Sequence, residues 1–158
     1  MNQLFDLNGK VIVVTGATGI LAGGAAKYLQ QNGAKVVYLG RNQERVDKAI
    51  SEANEISQDC MGLTCDVLDE SGLKEGYEAV LSRFGRIDAL INGAGGNMPG
   101  ATIGPDKEIF DLDLDDYAKV MDLNLKGTVI PTLTFAQAFK EQKSGCVINF
   151  SSMSSTQA

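Results

Sequence analysis

Two kinds of apolar run alternate along the chain. Val11–Val14, Lys35–Leu39, Cys60–Cys65, Ile87–Ile91 and Cys146–Phe150 are short and rich in apolar residues, the pattern of strands covered on both faces. Between them the apolar residues fall at helical spacing: Leu21, Ala25, Tyr28 and Leu29; Val46, Ala49, Ile50 and Ala53; Leu73, Tyr77, Val80, Leu81 and Phe84; then a long pattern over Leu114–Phe139. Gly33 ends the first helix in the manner of a C-cap, and Asp66 opens the third. Gly127 and Pro131 predict a bend or break in the long one. Strands alternating with helices of this length imply parallel strands joined by right-handed crossovers. The expected fold is therefore α/β, a doubly wound parallel sheet (Rossmann fold) with helices on both faces. Residues 1–158 read as one domain, with no repeat, low-complexity tract or linker.

In such sheets a ligand crevice lies beyond the carboxyl ends of the strands, where strand order reverses. The residues that stand out fall at strand ends: Gly16–Ile20, Arg41, Asp66, Asn92–Gly96 and Ser152. The first of these turns carries the strongest signal. Gly16 and Gly19 let the backbone turn sharply and admit a ligand close to its N–H groups, and the helix that follows aims its unpaired amides and positive dipole end at the turn. A phosphate or pyrophosphate fits there. A plain turn is the competing reading, since neither a strict G-x-G-x-x-G nor the lysine of a phosphate-binding loop is present.

Composition narrows the chemistry. A net charge of −6 without a basic cluster argues against nucleic acid or an anionic membrane as partner. No apolar run approaches the ~20 residues that cross a bilayer, and MNQLFDLNGK lacks the regions of a signal peptide, so the expected location is cytoplasmic. The three cysteines lack metal-ligand spacing and read as buried reduced thiols. The chain has no histidine, which removes Ser-His-Asp and Cys-His mechanisms and leaves Tyr, Lys, Asp or Glu for acid–base work.

Five segments taken in order then resemble the short-chain dehydrogenase/reductase family over the whole chain: Thr15-Gly16-Ala17-Thr18-Gly19, Asp66-Val67, Asn92-Gly93-Ala94-Gly95, Asn124-Leu125-Lys126-Gly127 and Asn149-Phe150-Ser151-Ser152. The family's glycine pattern is T-G-x-x-x-G-x-G, and here Ile20 and Ala22 stand at the last two glycine positions, with Gly19, Gly23 and Gly24 nearby. Together with Asn92–Pro99 and the insert after it, this resembles the branch acting on sugar acids such as D-mannonate or fructuronate.

The resemblance implies residue roles. Gly16, Thr18, Gly19, Ile20 and Leu21 would hold the pyrophosphate and adenosine ribose, and Asp66 with Val67 the adenine; Asp66 is equally readable as a helix N-cap. Asn92, Ala94 and Gly95 would floor the nicotinamide riboside, or form an ordinary strand-end turn. Gly40 stands where an acidic residue would accept the ribose 2′-hydroxyl and repel a 2′-phosphate. Arg41, with Asn42 beside it, offers a planar cation suited to that phosphate, which favours NADP over NAD; an exposed loop arginine is the bland alternative. Asn124 matches the asparagine that holds a relay water, or is a polar residue on a solvated face. Ser152 matches the serine that polarises the substrate oxygen, with Ser151 in a lesser part, although serines after a strand also serve as turn formers.

The tyrosine and lysine that move protons in the family, spaced Y-x-x-x-K, do not occur: Tyr28, Tyr38, Tyr77 and Tyr117 have no lysine four residues on. The chain is thus expected to be the N-terminal part of a longer enzyme, one that binds cofactor better than it catalyses. The function implied is hydride transfer between NADP or NAD and an alcohol or ketone substrate, in a homo-tetramer or homo-dimer built partly on the helix around Tyr117–Phe139. A catalytically silent dinucleotide-binding or sensing module is the rival.

Overall fold

The computed structural model describes residues 6–152. The elements in order are β1 (Val11–Thr15), α1 (Ile20–Gln31), β2 (Lys35–Gly40), α2 (Gln43–Asn54), β3 (Cys60–Thr64), α3 (Glu70–Phe84), β4 (Ala89–Asn92), α4 (Leu114–Met121), α5 (Gly127–Gln142) and β5 (Cys146–Asn149). All strand pairs are parallel and the sheet order is β3-β2-β1-β4-β5. Strand order reverses between β1 and β4, so the switch point lies at the first glycine turn.

Alternate side chains of β1 feed two cores. Val11 and Val13 join Val37, Leu90, Leu73 and Phe135 under α3 and α5, while Ile12 and Val14 join Val36, Tyr38, Ala26 and Ala53 under α1 and α2. The strand has no wet face, which is why its sequence shows no polar alternation. Tyr38 and Gln30, two polar groups within these layers, are paired. The Tyr38 hydroxyl donates to Gln30 Oε1 (2.8 Å), and Gln30 Nε2 donates to the carbonyls of Ala53 (3.0 Å) and Ser57 (2.9 Å), tying β2, α1 and α2 together. Burial, with Cys60 next in effect, pushes the Tyr38 phenol up to about 12, so it stays protonated and keeps donating.

Two local expectations need correction. Asp66 does not cap the third helix: its carboxylate accepts from Leu68 N (2.9 Å) in a turn, and Asp69 is the N-cap, accepting from the Ser71 and Gly72 amides (both 3.1 Å). Val67 and Leu68 form a turn before the helix starts, which moves the cap three residues on.

The long helix breaks beside Gly127, as expected, but not at Pro131. A π turn over Asp122–Lys126 separates α4 from α5, and Pro131 stays inside α5. Threonine hydroxyls support the carbonyls around this break, Thr128 donating to Asn124 O (2.9 Å) and Thr132 to Thr128 O (2.8 Å). Pro131, in the second turn of α5, lacks the N–H that would otherwise donate back along the helix.

Candidate functional site

The β1–α1 turn is shaped by what lies behind it. Gly16 has φ +68°, and a Cβ there would come within 2.6 Å of Gly93 O and 2.7 Å of Ala94 N. Its glycine therefore serves a backbone-to-backbone approach between the first turn and the loop after β4. Thr15, fully buried, fixes the same approach: its Oγ1 accepts from the Gly93 and Ala94 amides (both 3.1 Å). Thr15→Val keeps the shape and strands two amides, so it is expected to cost about 1–3 kcal/mol in urea unfolding. An unchanged midpoint would show that water replaces the hydroxyl.

Ala22, at the family's last glycine position, points its methyl at Gly93, where a Cβ would lie 2.6 Å from it. The glycine missing at this position is thus compensated by another in the opposing loop, whereas Ile20, the other departure, stands at the mouth of the turn. The N-cap Gly19 makes no side-chain cap, which leaves the first amides of α1 available to a ligand. Ile20 and Leu21 project from this end, 94% and 77% exposed.

On one side of the turn lies a recess walled by Thr18, Gly40, Arg41, Arg45, Cys65, Asp66 and Val67, with Gly95 at its far end. Neither arginine has an ion-pair partner among the described residues, and no acidic side chain stands at Gly40. A Cβ on Gly40 would approach Thr18 Cγ2 to 2.8 Å. Burial, followed by the charges of Asp69, Asp66 and Glu75, pushes the Cys65 thiol up to about 11, so it is a protonated, unreactive wall. Asn42 is not part of this wall; its side chain accepts from Arg45 N (2.9 Å) as the N-cap of α2. Arg45, in the first turn of α2, also walls the recess and was missed in the sequence.

On the other side, Ile20, Leu21, Gly95, Gly96, Asn124, Thr128, Ser151 and Ser152 bound a wider cleft. The Asn124 side chain is fully engaged, accepting from Gly96 N (3.2 Å) and donating to Gly96 O (2.7 Å) and Val120 O (2.8 Å). It clamps the loop after β4, and a Cβ on Gly95 would meet its Oδ1 at 2.7 Å. Asn92 lies beneath the cleft, 3% exposed, donating to Thr132 Oγ1 (3.0 Å) and Asn149 Oδ1 (2.8 Å). The rest of the serine run, Met153–Ser155, lies outside the described residues. No cluster of three or more His, Cys, Asp or Glu among the described residues could hold a metal, and none of their helices is long and apolar enough to cross a membrane.

Comparison with known proteins agrees with this arrangement. A curated relative from Bacillus subtilis (strain 168), the uncharacterized oxidoreductase UxuB, is 33% identical over 157 residues, covering 94% of this chain and 56% of its own length. Among solved structures, a protein from Haemophilus influenza provisionally named D-mannonate oxidoreductase, with bound NAD, superposes with TM-score 0.88 at 33% identity, over 96% of this chain and 58% of that one. An NAD+-bound xylitol dehydrogenase superposes with TM-score 0.87 at 29% identity, over 96% and 56%. The chain spans a little over half the length of these relatives. The family model described as short chain dehydrogenase matches residues 10–158, across the glycine turn, the β4 loop and the serine-bearing strand end, and the chain belongs to that family.

Proposed function

We propose that this chain binds a nicotinamide dinucleotide and serves an oxidoreductase that moves hydride between it and an alcohol or ketone carbon. The observation that carries this reading is the uncapped N-terminus of α1, set on the Gly16–Gly19 turn at the point where strand order reverses. The residues present suit the cofactor. The α1 amides would hold its pyrophosphate, the recess beside Arg41, Asp66 and Val67 its adenosine, and the floor of Ala94 and Gly95 its nicotinamide riboside. When bound, the nicotinamide supplies the hydride chemistry. Ser152 would donate to the substrate oxygen, and Asn124 would keep the floor in register through Gly96. The sugar-acid class, D-mannonate or fructuronate, is supported by the name of one structural neighbour and by the Asn92–Pro99 segment.

Both neighbours with a named cofactor hold NAD. The NADP reading is supported by Arg41 and Arg45, which have no ion-pair partner among the described residues, and by the glycine in place of an acid at position 40, while Asp66 also borders the recess. Arg41→Ala is expected to weaken NADPH by about 1.5–3 kcal/mol and NADH by much less. Fluorescence titration of both cofactors decides this, and equal losses would remove the 2′-phosphate role. Copies of the chain would associate through α4, the π turn and α5, which together expose Leu114, Tyr117, Met121, Leu125, Val129 and Leu133, forming a dimer or tetramer.

A further inference from the structure

The loop after β4 is held from three sides, and one of the holds leads to a residue that the reading above does not use. Thr15 takes the Gly93 and Ala94 amides, Asn124 takes Gly96, and the buried side chain of Asn92 reaches β5. Asn92 Nδ2 donates one hydrogen to Asn149 Oδ1 (2.8 Å) and the other to Thr132 Oγ1 (3.0 Å). Its Oδ1 has no hydrogen-bond partner among the described residues, so these two donated bonds are what orient the amide. The backbones are tied at the same point, where Phe150 N donates to Asn92 O (2.9 Å). Thr132 carries the line onward. Its hydroxyl donates to Thr128 O (2.8 Å), the Thr128 hydroxyl donates to Asn124 O (2.9 Å), and Asn124 Nδ2 donates to Gly96 O (2.7 Å).

A line of hydrogen-bonded residues therefore runs from Asn149, at the end of β5, through Asn92, Thr132, Thr128 and Asn124 to Gly96. One end stands three residues before Ser152, and the other is the loop beside Gly95. Thr132 lies at its middle, in the second turn of α5, and does not itself line the wide cleft. We propose that Thr132 is a positioning residue: by holding the Asn92 amide it sets where the end of β5, and with it Ser152, stands relative to the floor of Ala94 and Gly95. The inference rests on the dinucleotide reading above, in which the nicotinamide riboside lies on that floor and the substrate oxygen beside Ser152. Hydride transfer tolerates little error in this separation, since a displacement of about 1 Å can cost roughly 100-fold in rate. The hydroxyl of Thr132 does the work and its methyl does not, because what Asn92 presents is an N–H in need of an acceptor.

The test compares Thr132→Val, which keeps the shape and removes the acceptor, with Thr132→Ser, which keeps the acceptor and removes the methyl. In the full-length protein, Thr132→Val is expected to lower kcat with D-mannonate or fructuronate roughly 10-fold while the dissociation constants of NADH and NADPH stay within about twofold, and Thr132→Ser to recover most of the loss. Asn149→Ala, at an exposed position, severs the line at its other end and is expected to lower kcat in the same sense. Amide hydrogen exchange without cofactor supplies a readout independent of turnover. The Phe150 amide, bonded to Asn92 O, should exchange several-fold faster in Thr132→Val than in the unaltered protein, whereas the amide of Val13 in the centre of β1 should not change. Unchanged Phe150 exchange in Thr132→Val would overturn the proposal whatever the rates, and a Thr132→Ser protein as impaired as Thr132→Val would do the same by making the residue a packing element. Both outcomes leave dinucleotide binding intact. If cofactor binds but neither sugar acid is turned over, the exchange contrast alone decides; if neither cofactor binds the unaltered protein, the positioning role falls together with the reading it rests on.

Discussion

Ser152→Ala is expected to lower kcat by roughly 10²–10³-fold in the full-length protein, the cost of losing one hydrogen-bond donor to an oxygen on which charge develops. The structure puts Ser152 on the wall of the wide cleft, just beyond the carboxyl end of β5, in a lining that includes Leu21 and Gly95. Cofactor dissociation constants should barely move, because the proposed contact is with substrate. Ser151 borders the same cleft, but successive side chains of extended backbone point opposite ways, so Ser151→Ala should be much milder. Steady-state rates with D-mannonate and fructuronate, beside cofactor titrations, separate the cases. Full turnover in Ser152→Ala with loss in Ser151→Ala would shift the assignment by one residue, and indifference of both would return the pair to turn formers.

Gly16→Ala should be nearly as damaging for a different reason. The added methyl must fit within 2.6–2.8 Å of three backbone atoms of Gly93 and Ala94, none of which can swing aside as a side chain would, and the residue must keep φ +68°. Left-handed strain and overpacking each cost about 1–3 kcal/mol. Thermal unfolding should therefore move down by many degrees and dinucleotide binding should be lost. Gly24→Ala is the matched control, since nothing lies within 4 Å of a Cβ there. A Gly16→Ala protein as stable as Gly24→Ala would mean that the β4 loop is free to retreat.

β1 and β2 were legible because they are covered on both faces and continuous apolar runs mark them, while β3 and the largely exposed β5 carry the same runs; β1, β2, β3 and β5 begin where the pattern places them. β4 starts two residues late, at Ala89, because Ile87 and Asp88 act before the strand: Asp88 accepts from Val11 N (3.0 Å) and pairs with Arg86. Helix ends were less legible, since Asp66 and Asp69 present the same side chain and only the turn between them decides which caps. The site residues that follow strands converge on the two sides of the first turn, as strand-end position implies. Asn42 departs from that set because a cap two residues after a strand turns its side chain back along its own helix. Arg45, and the role of the buried Thr15 hydroxyl, escaped the sequence for the opposite reason, since they arise only when separate segments are brought together.

The central position of β1 bears on how the chain is made. It precedes both of its partners in the chain, so one edge must wait for β2 and the other for β4, whose Leu90 pairs with Val13. At ordinary translation speeds that leaves an apolar, β-branched strand with an open edge for on the order of ten seconds. The α1–β2–α2–β3 unit can close one side early, but no residue before β4 pairs with the other. Val11–Thr15 is therefore the segment most exposed to wrong pairing during biosynthesis, and the one a ribosome-bound chaperone has most reason to hold.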